Sequence, residues 1–328
     1  MQNIWYPWLN LTYKNIITNY QNKKLHHTIL IESYNIQNTY KIIWAVIRWI
    51  FCNKKNGKKS CGKCTGCILI KTKNHPDFYI LHSKNTNQIF EINKIRNIIK
   101  IIKNTAQQSH DKILWIPNYT SLTIFSINAL LKIIEEPPKN TFFFIGNILY
   151  NKIHCTFKSR CVFYQIFTPN ENIGLSWLKE NTTIKKKNCL IALRINNYDP
   201  ELAKNFIQKK NWIERIHFYE DITDAINKNN FLMLLPKLNT TDVLNKIYWI
   251  ILLLWDSLKL KTNIFTYFIN TDQIYLIQNI SKKYSYITLN NILYSWIQCR
   301  YQLITIDNIN YELLILQQLL KWQILKKR

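Results

Sequence analysis

The chain has 328 residues, 47% of them hydrophobic, with 44 Lys+Arg against 19 Asp+Glu and a formal net charge of +25. That length suits two or three domains, and that apolar fraction excludes wholesale disorder. The charge favours nucleic acid or acidic partners. Lys, Asn, Ile and Tyr are abundant together, as AT-biased codons would produce, so drift over a solvated surface and a selected DNA-facing patch both stand as readings.

The opening, Met1 to Trp8, has no basic region followed by an apolar one, so no signal peptide is expected. Residues 28–31 form a short apolar run and read as a buried strand. Ile42, Ile43, Val46, Ile47 and Ile50 mark one face of a helix over 39–51. A cysteine cluster follows. Residues 77–81 give a second strand and 92–102 a helix. A third strand spans 112–116 and ends at Pro117 and Asn118. The helix predicted over 126–136 stops at Pro137-Pro138, because proline lacks a backbone donor and clashes with the preceding turn. Strands at 141–145 and 161–166 complete the set. Strands separated by helices predict a parallel sheet covered on both faces.

Beyond residue 167 the strand signals fade. Short helices are expected at 171–180, 185–195 and 201–209, and long ones from residue 211, with apolar stretches at 243–258, 292–303 and 311–325. The longest apolar run, Ile247 to Trp255, falls well short of the ~20 residues that cross a bilayer. A cytoplasmic protein without a membrane partner is expected. The domains fall at 1–167, an α/β domain; 168–209, a small helical domain; and 210–328, an all-helical one.

The strongest local signal is Cys52, Cys61, Cys64 and Cys67. Four thiolates, two pairs of them spaced two residues apart, match a tetrahedral zinc site, and they leave no open position for water or substrate. A structural zinc is therefore expected. Gly57, Gly62 and Gly66 would supply unusual backbone angles, and Lys58, Lys59 and Lys63 would offset the charge of a four-thiolate centre. An iron–sulfur motif would continue with a further Cys-Pro; Lys71 and Thr72 stand there instead. His75 is not needed as a ligand. Cys155, Cys161, Cys189 and Cys299 are isolated and read as buried small hydrophobes.

A phosphate-binding loop is missing. It needs glycines and a lysine between the first strand and its helix. The segment here runs Ile31-Glu32-Ser33-Tyr34-Asn35-Ile36-Gln37-Asn38-Thr39, and no glycine precedes Gly57. Ser33, Tyr34, Asn38 and Thr39 mark the degenerate positions. The third strand also lacks the terminal acid that holds magnesium in ATPases. No bound ATP is expected. Glu135 and Glu136 are paired carboxylates, yet no nucleophile, base or metal accompanies them, so a catalytic role is rejected.

Further motifs are Trp5-Tyr6-Pro7-Trp8, His26-His27, His75-Pro76-Asp77, Asn128-Ala129-Leu130-Leu131-Lys132, Glu135-Glu136-Pro137-Pro138 and Ser159-Arg160-Cys161. With the cysteine cluster they make the chain resemble the delta-prime subunits of bacterial DNA polymerase III clamp loaders. Several are shared with the ATP-hydrolysing sister subunit; the lost phosphate loop beside a retained Ser-Arg-Cys favours delta-prime. Beyond residue 167 only the helical layout and length match. The resemblance implies an AAA+ fold, with a RecA-like sheet, a helical lid and a C-terminal collar. It implies an arginine finger at Arg160, flanked by Ser159 and Cys161, aimed at ATP on a neighbouring subunit. The implied partners are the tau/gamma motor subunits and delta, and through the complex the beta sliding clamp and primed DNA. No intrinsic catalysis is expected from the chain itself. Two rival readings are an ATP-hydrolysing motor subunit and a stand-alone zinc-containing DNA-binding protein.

Overall fold

The computed structural model describes residues 5–81, 90, 92–149, 151–208, 210–306 and 309–324. Residues 1–4, 209 and 325, which fall in the opening and at the ends of two predicted helices, lie outside the described residues. The chain divides into two compact units, Met1–Pro169 and Asn170–Arg328.

The first unit is built on five parallel strands: β1 (Thr28–Ser33), β2 (Phe78–Ile80), β3 (Lys112–Ile116), β4 (Thr141–Ile148) and β5 (Val162–Ile166). Their order across the sheet is β2-β3-β4-β1-β5, with β1 paired to both β4 and β5. Helices connect them: α1 (Asn10–Gln21), α2 (Ile36–Ile50), α3 (Thr65–Lys71), α4 (Ile92–Lys103), α5 (Ile124–Glu135) and the short α6 (Cys155–Lys158). This is the expected parallel α/β sheet with flanking helices.

Alternating strand residues serve two layers. Trp115 of β3 meets α2 on one face, with ring centroids 4.6 Å from Tyr40 and 5.9 Å from Trp44. Its neighbours Leu114 and Ile116 face the other way. They join Phe143 and Ile145 of β4, Ile95 and Ile102 of α4, and Ile127, Leu130 and Ile134 of α5 in one buried cluster. Each such side chain contributes roughly 1.5–3 kcal/mol by leaving water. Burial on both faces explains why the strands read as continuous apolar runs.

Two helices start earlier than their apolar spacing predicts, because polar caps extend them. Asn35 caps α2, its side chain accepting from the Gln37 amide at 2.9 Å. Thr123 caps α5, accepting from the Ser126 amide at 3.0 Å. The α1 helix is a finding the sequence did not single out.

His75-Pro76-Asp77 has a structural explanation. Asp77, almost fully buried, accepts from the amides of Gln107 (2.7 Å), Gln108 (2.9 Å) and Ser109 (2.8 Å) and from the Ser109 hydroxyl (2.9 Å). Burial works against its charge, but these donors outweigh it and hold the carboxyl below its ordinary range. His75 Nδ1 accepts from the Asp77 amide at 3.2 Å, and its ring lies 4.2 Å from Phe51.

The second unit is helical throughout its described elements: α7 (Glu171–Asn181), α8 (Lys186–Ile195), α9 (Pro200–Gln208), α10 (Asn211–Asn227), α11 (Leu235–Leu238), α12 (Val243–Lys261), α13 (Ile274–Lys283), α14 (Tyr286–Thr305) and α15 (Tyr311–Ile324). Trp322 of α15 stacks on Phe231 at 4.5 Å and meets Trp296 of α14 edge-on at 5.8 Å. A polar cluster sits inside it. The Arg215 guanidinium, fully buried, donates to both Asp272 oxygens at 2.8 and 2.9 Å and to Asn270 Oδ1 at 2.7 Å. Asp256, also buried, accepts from the Asn270 amide at 2.8 Å and side chain at 2.9 Å. These bonds pin the segment after α12 against α10. None of the described helices is long and apolar enough to cross a membrane.

Candidate functional site

Cys52 follows the end of α2, Cys61 and Cys64 lie in the loop beyond it, and Cys67 sits in the first turn of α3. Their Sγ atoms converge. Cys52–Cys61 is 3.6 Å, Cys52–Cys64 3.9 Å and Cys61–Cys67 4.0 Å, and all four lie within 4.8 Å of one another. A tetrahedron with metal–sulfur bonds of about 2.3 Å has edges of about 3.8 Å. The sulfurs are gathered closely enough for one metal ion to sit among them. Cys52 and Cys67 are buried, Cys61 and Cys64 partly so.

The surrounding chain is organised to hold that geometry. The Cys61 amide donates to Cys52 Sγ at 3.3 Å and the Cys64 amide to Cys61 Sγ at 3.4 Å. Trp49 Nε1 of α2 donates to the Gly57 carbonyl at 3.0 Å, and the Tyr13 hydroxyl of α1 to the Lys58 carbonyl at 2.7 Å. Gly57 and Gly62 adopt positive φ of 57° and 74°, as expected. Gly66 does not; it is helical, and its need is room, because a Cβ there would lie 2.1 Å from the Phe51 carbonyl oxygen. Burial opposes a thiolate at Cys64, yet amide donors from Cys67 and Asn53 bring it down to about 6. Burial pushes Cys67 up to about 12, and the neighbouring sulfurs add to that. A cation among the four would offset the charge of their thiolates. His75 lies outside this group.

The connection from β1 to α2 is short. β1 ends at Ser33, Asn35 is the helix cap, and α2 begins at Ile36. Only Tyr34 and Asn35 lie between. Amides that a phosphate loop would turn to an anion are taken: Gln37 donates to the Asn35 side chain at 2.9 Å and Asn38 to the Asn35 carbonyl at 3.0 Å. Ser33, Asn38 and Thr39 are buried. Ser33 Oγ accepts from the Asn38 side chain at 3.4 Å, and Thr39 Oγ1 donates to the Ile36 carbonyl at 2.8 Å. At the end of β3, Asn118 caps a following turn through the Thr120 amide at 3.2 Å.

Arg160 stands apart from both places, between α6 and β5. Its side chain is 39% exposed. Nε donates to Glu135 Oε1 at 2.6 Å, and Nη1 to the Thr156 carbonyl at 2.8 Å and Ser159 Oγ at 3.2 Å. Glu135, at the end of α5, therefore aims the guanidinium. Sequence reasoning missed this partnership, which joins residues 25 positions apart. Cys161 anchors the other side: its Sγ donates to the Phe157 carbonyl at 3.2 Å, and burial pushes its thiol up to about 12. Cys189 and Cys299 are buried as expected, but Cys155 is exposed, because it opens the four-residue α6 with its side chain outside the core.

Comparison with known proteins adds to this geometry. The family described as "DNA polymerase III, delta subunit" matches residues 9–170, and "DNA polymerase III, delta subunit, C terminal" matches residues 209–323. A DNA polymerase III subunit delta-prime from Buchnera aphidicola of Schizaphis graminum is 42% identical over 97% of both chains. The chain belongs to the DNA polymerase III delta-prime family. The Escherichia coli K12 delta-prime subunit is 30% identical over 97% of this chain and 95% of its own. A solved gamma-subunit-related protein of DNA polymerase III from Thermotoga maritima aligns with a TM-score of 0.44 at 13% identity, covering 97% of this chain and 99% of that one. The two family matches between them cover most of the first unit and most of the helical second unit.

Proposed function

We propose that the chain is the delta-prime subunit of a DNA polymerase III clamp loader, acting as an ATPase-inactive stator. In this reading it occupies one place in a pentamer with three tau/gamma motor subunits and delta in the cytoplasm. The pentamer opens the beta sliding clamp and sets it on primed DNA. Residues 1–167 form the AAA+ domain, 168–209 the lid, and 210–328 a collar that joins the subunits. The cysteine site holds a structural zinc that fixes the loop between α2 and α3.

The observation that carries the proposal is the two-residue link between β1 and α2. A triphosphate needs a longer loop of free amides, and here the amides are already bonded within the chain. Arg160 supplies the complementary half. A guanidinium is always charged and forks onto phosphate oxygens. Supplied across an interface, it stabilises charge on the transferring phosphoryl group and is worth about 10³–10⁵ in rate. Its ion pair with Glu135 is 39% and 48% exposed, and such pairs contribute only about 0–1 kcal/mol. Arg160 can therefore exchange Glu135 for a phosphate at little cost.

Equilibrium binding of labelled ATP to the isolated chain tests the reading. No saturable binding in the micromolar range is expected. Micromolar affinity would favour the motor subunit instead.

A further inference from the structure

The first unit carries a basic pocket that the stator role does not use. α1, α2 and the cysteine loop enclose a cavity of about 540 Å³, lined chiefly by Trp5, Tyr13, Arg48, Lys58, Lys59 and Ser60. That volume lies in the range of small-ligand sites. No carboxylate lines it. Its neighbourhood is equally one-sided: residues 1–76 contain twelve Lys or Arg and a single acid, Glu32.

The cavity has a built interior. Trp5 is held on two sides, donating from Nε1 to Asn10 Oδ1 at 2.7 Å and meeting Tyr13 edge-on at 5.4 Å, yet it stays 36% exposed. Lys58 is spent on structure, its ammonium donating to Thr18 Oγ1 at 2.7 Å. Arg48 and Lys59 are not. Arg48 Nε is buried with no hydrogen-bond partner, and neither residue has an ion pair among the described residues. Fixed aromatic surface beside unpaired cations is the pairing that single-stranded nucleic acid uses: bases stack, and phosphates meet the charges.

We propose that this pocket binds a nucleotide unit of single-stranded DNA, with a phosphate on Arg48 and Lys59 and a base against Trp5. A duplex keeps its bases stacked within the helix and offers Trp5 nothing, so the site prefers single strands. The binding belongs to the lone chain and stands or falls independently of Arg160.

Fluorescence anisotropy of a labelled oligothymidylate, titrated with the metal-loaded full chain across a range of salt, tests it. The Arg48→Gln/Lys59→Gln variant is expected to lower the salt slope by about 0.7, the share of the one phosphate that both cations hold. Trp5→Leu is expected to weaken binding roughly 5–150-fold with the slope unchanged. Metal content and far-UV circular dichroism are read alongside, and Lys59→Glu, on the loop, carries the test if substitution of Arg48 disturbs the fold. Three results would overturn the site. The first is an equal loss in Lys23→Gln/Lys24→Gln, outside the pocket. The second is duplex DNA binding as tightly as the single strand. The third is dTMP competing, mole for mole, as well as the oligonucleotide.

Discussion

Replacing Gly66 by alanine attacks the proposed zinc site without touching any of its four cysteines. The new Cβ would lie 2.1 Å from the carbonyl oxygen of Phe51, where contacts below about 3 Å are not tolerated. The oxygen belongs to the backbone and the Cβ is fixed by it, so neither can swing aside; the end of α2 and the start of α3 must part by about 0.9 Å. Phe51 precedes Cys52, and Gly66 precedes Cys67, so the displacement falls directly on two of the four sulfurs. Metal–ligand distances tolerate only about ±0.2 Å. Overpacking of this kind costs typically 1–3 kcal/mol, which is roughly 5–150-fold in affinity. The assay is competition for zinc against a chromophoric chelator, with bound metal counted by elemental analysis. Gly57→Ala is the comparison: open space surrounds it at a φ of 57°, so it adds backbone strain of about 1–2 kcal/mol but no steric wedge between the ligands. Wild-type zinc affinity in Gly66→Ala would refute the reasoning, since the wedge would then have been absorbed elsewhere.

Two further outcomes follow from buried charges. Asp77→Ala leaves three amides without their acceptor, while the Ser109 hydroxyl keeps the Asp111 carbonyl at 2.6 Å; at about 1–3 kcal/mol for each group that water cannot reach, amide exchange across 107–109 should quicken by an order of magnitude or more. Because the Asp77 carboxyl is held below its ordinary value, its contribution is full above the unfolded pKa of about 4 and fades as pH falls through the lower folded value; protection that instead grew on acidification would contradict this. Asp272→Ala strands the Arg215 guanidinium inside the second unit and should cost about 3–5 kcal/mol, read as a lowered urea midpoint. The double change Arg215→Met/Asp272→Leu should recover most of it.

Much of this architecture is legible in the chain, for identifiable reasons. Strands buried on both faces write themselves as apolar runs, and β1, β3 and β4 lie where such runs occur. The cysteine cluster is legible because its ligands are close in sequence and share one turn geometry. The missing phosphate loop is visible as an absence of glycine, but its replacement is not: that Asn35 caps α2 and shortens the link to two residues depends on backbone geometry. Partnerships over distance leave no local trace. Glu135 reads as half of an idle carboxylate pair until α5 and the segment before β5 come together; Asp77 reads as a motif residue until the 107–109 amides close over it. The exposure of Cys155 escapes for a related reason, since a four-residue helix is too short to display a periodic face.

The stator account turns on one side chain acting on a neighbour's nucleotide. Single-turnover ATP hydrolysis by the assembled complex, carrying either Arg160 or the Arg160→Ala substitution, measures that action most directly. Assembly should be retained, while hydrolysis at the adjoining site slows by about 10³-fold or more. An alanine complex that turns over its bound ATP at the unmodified rate would contradict the account.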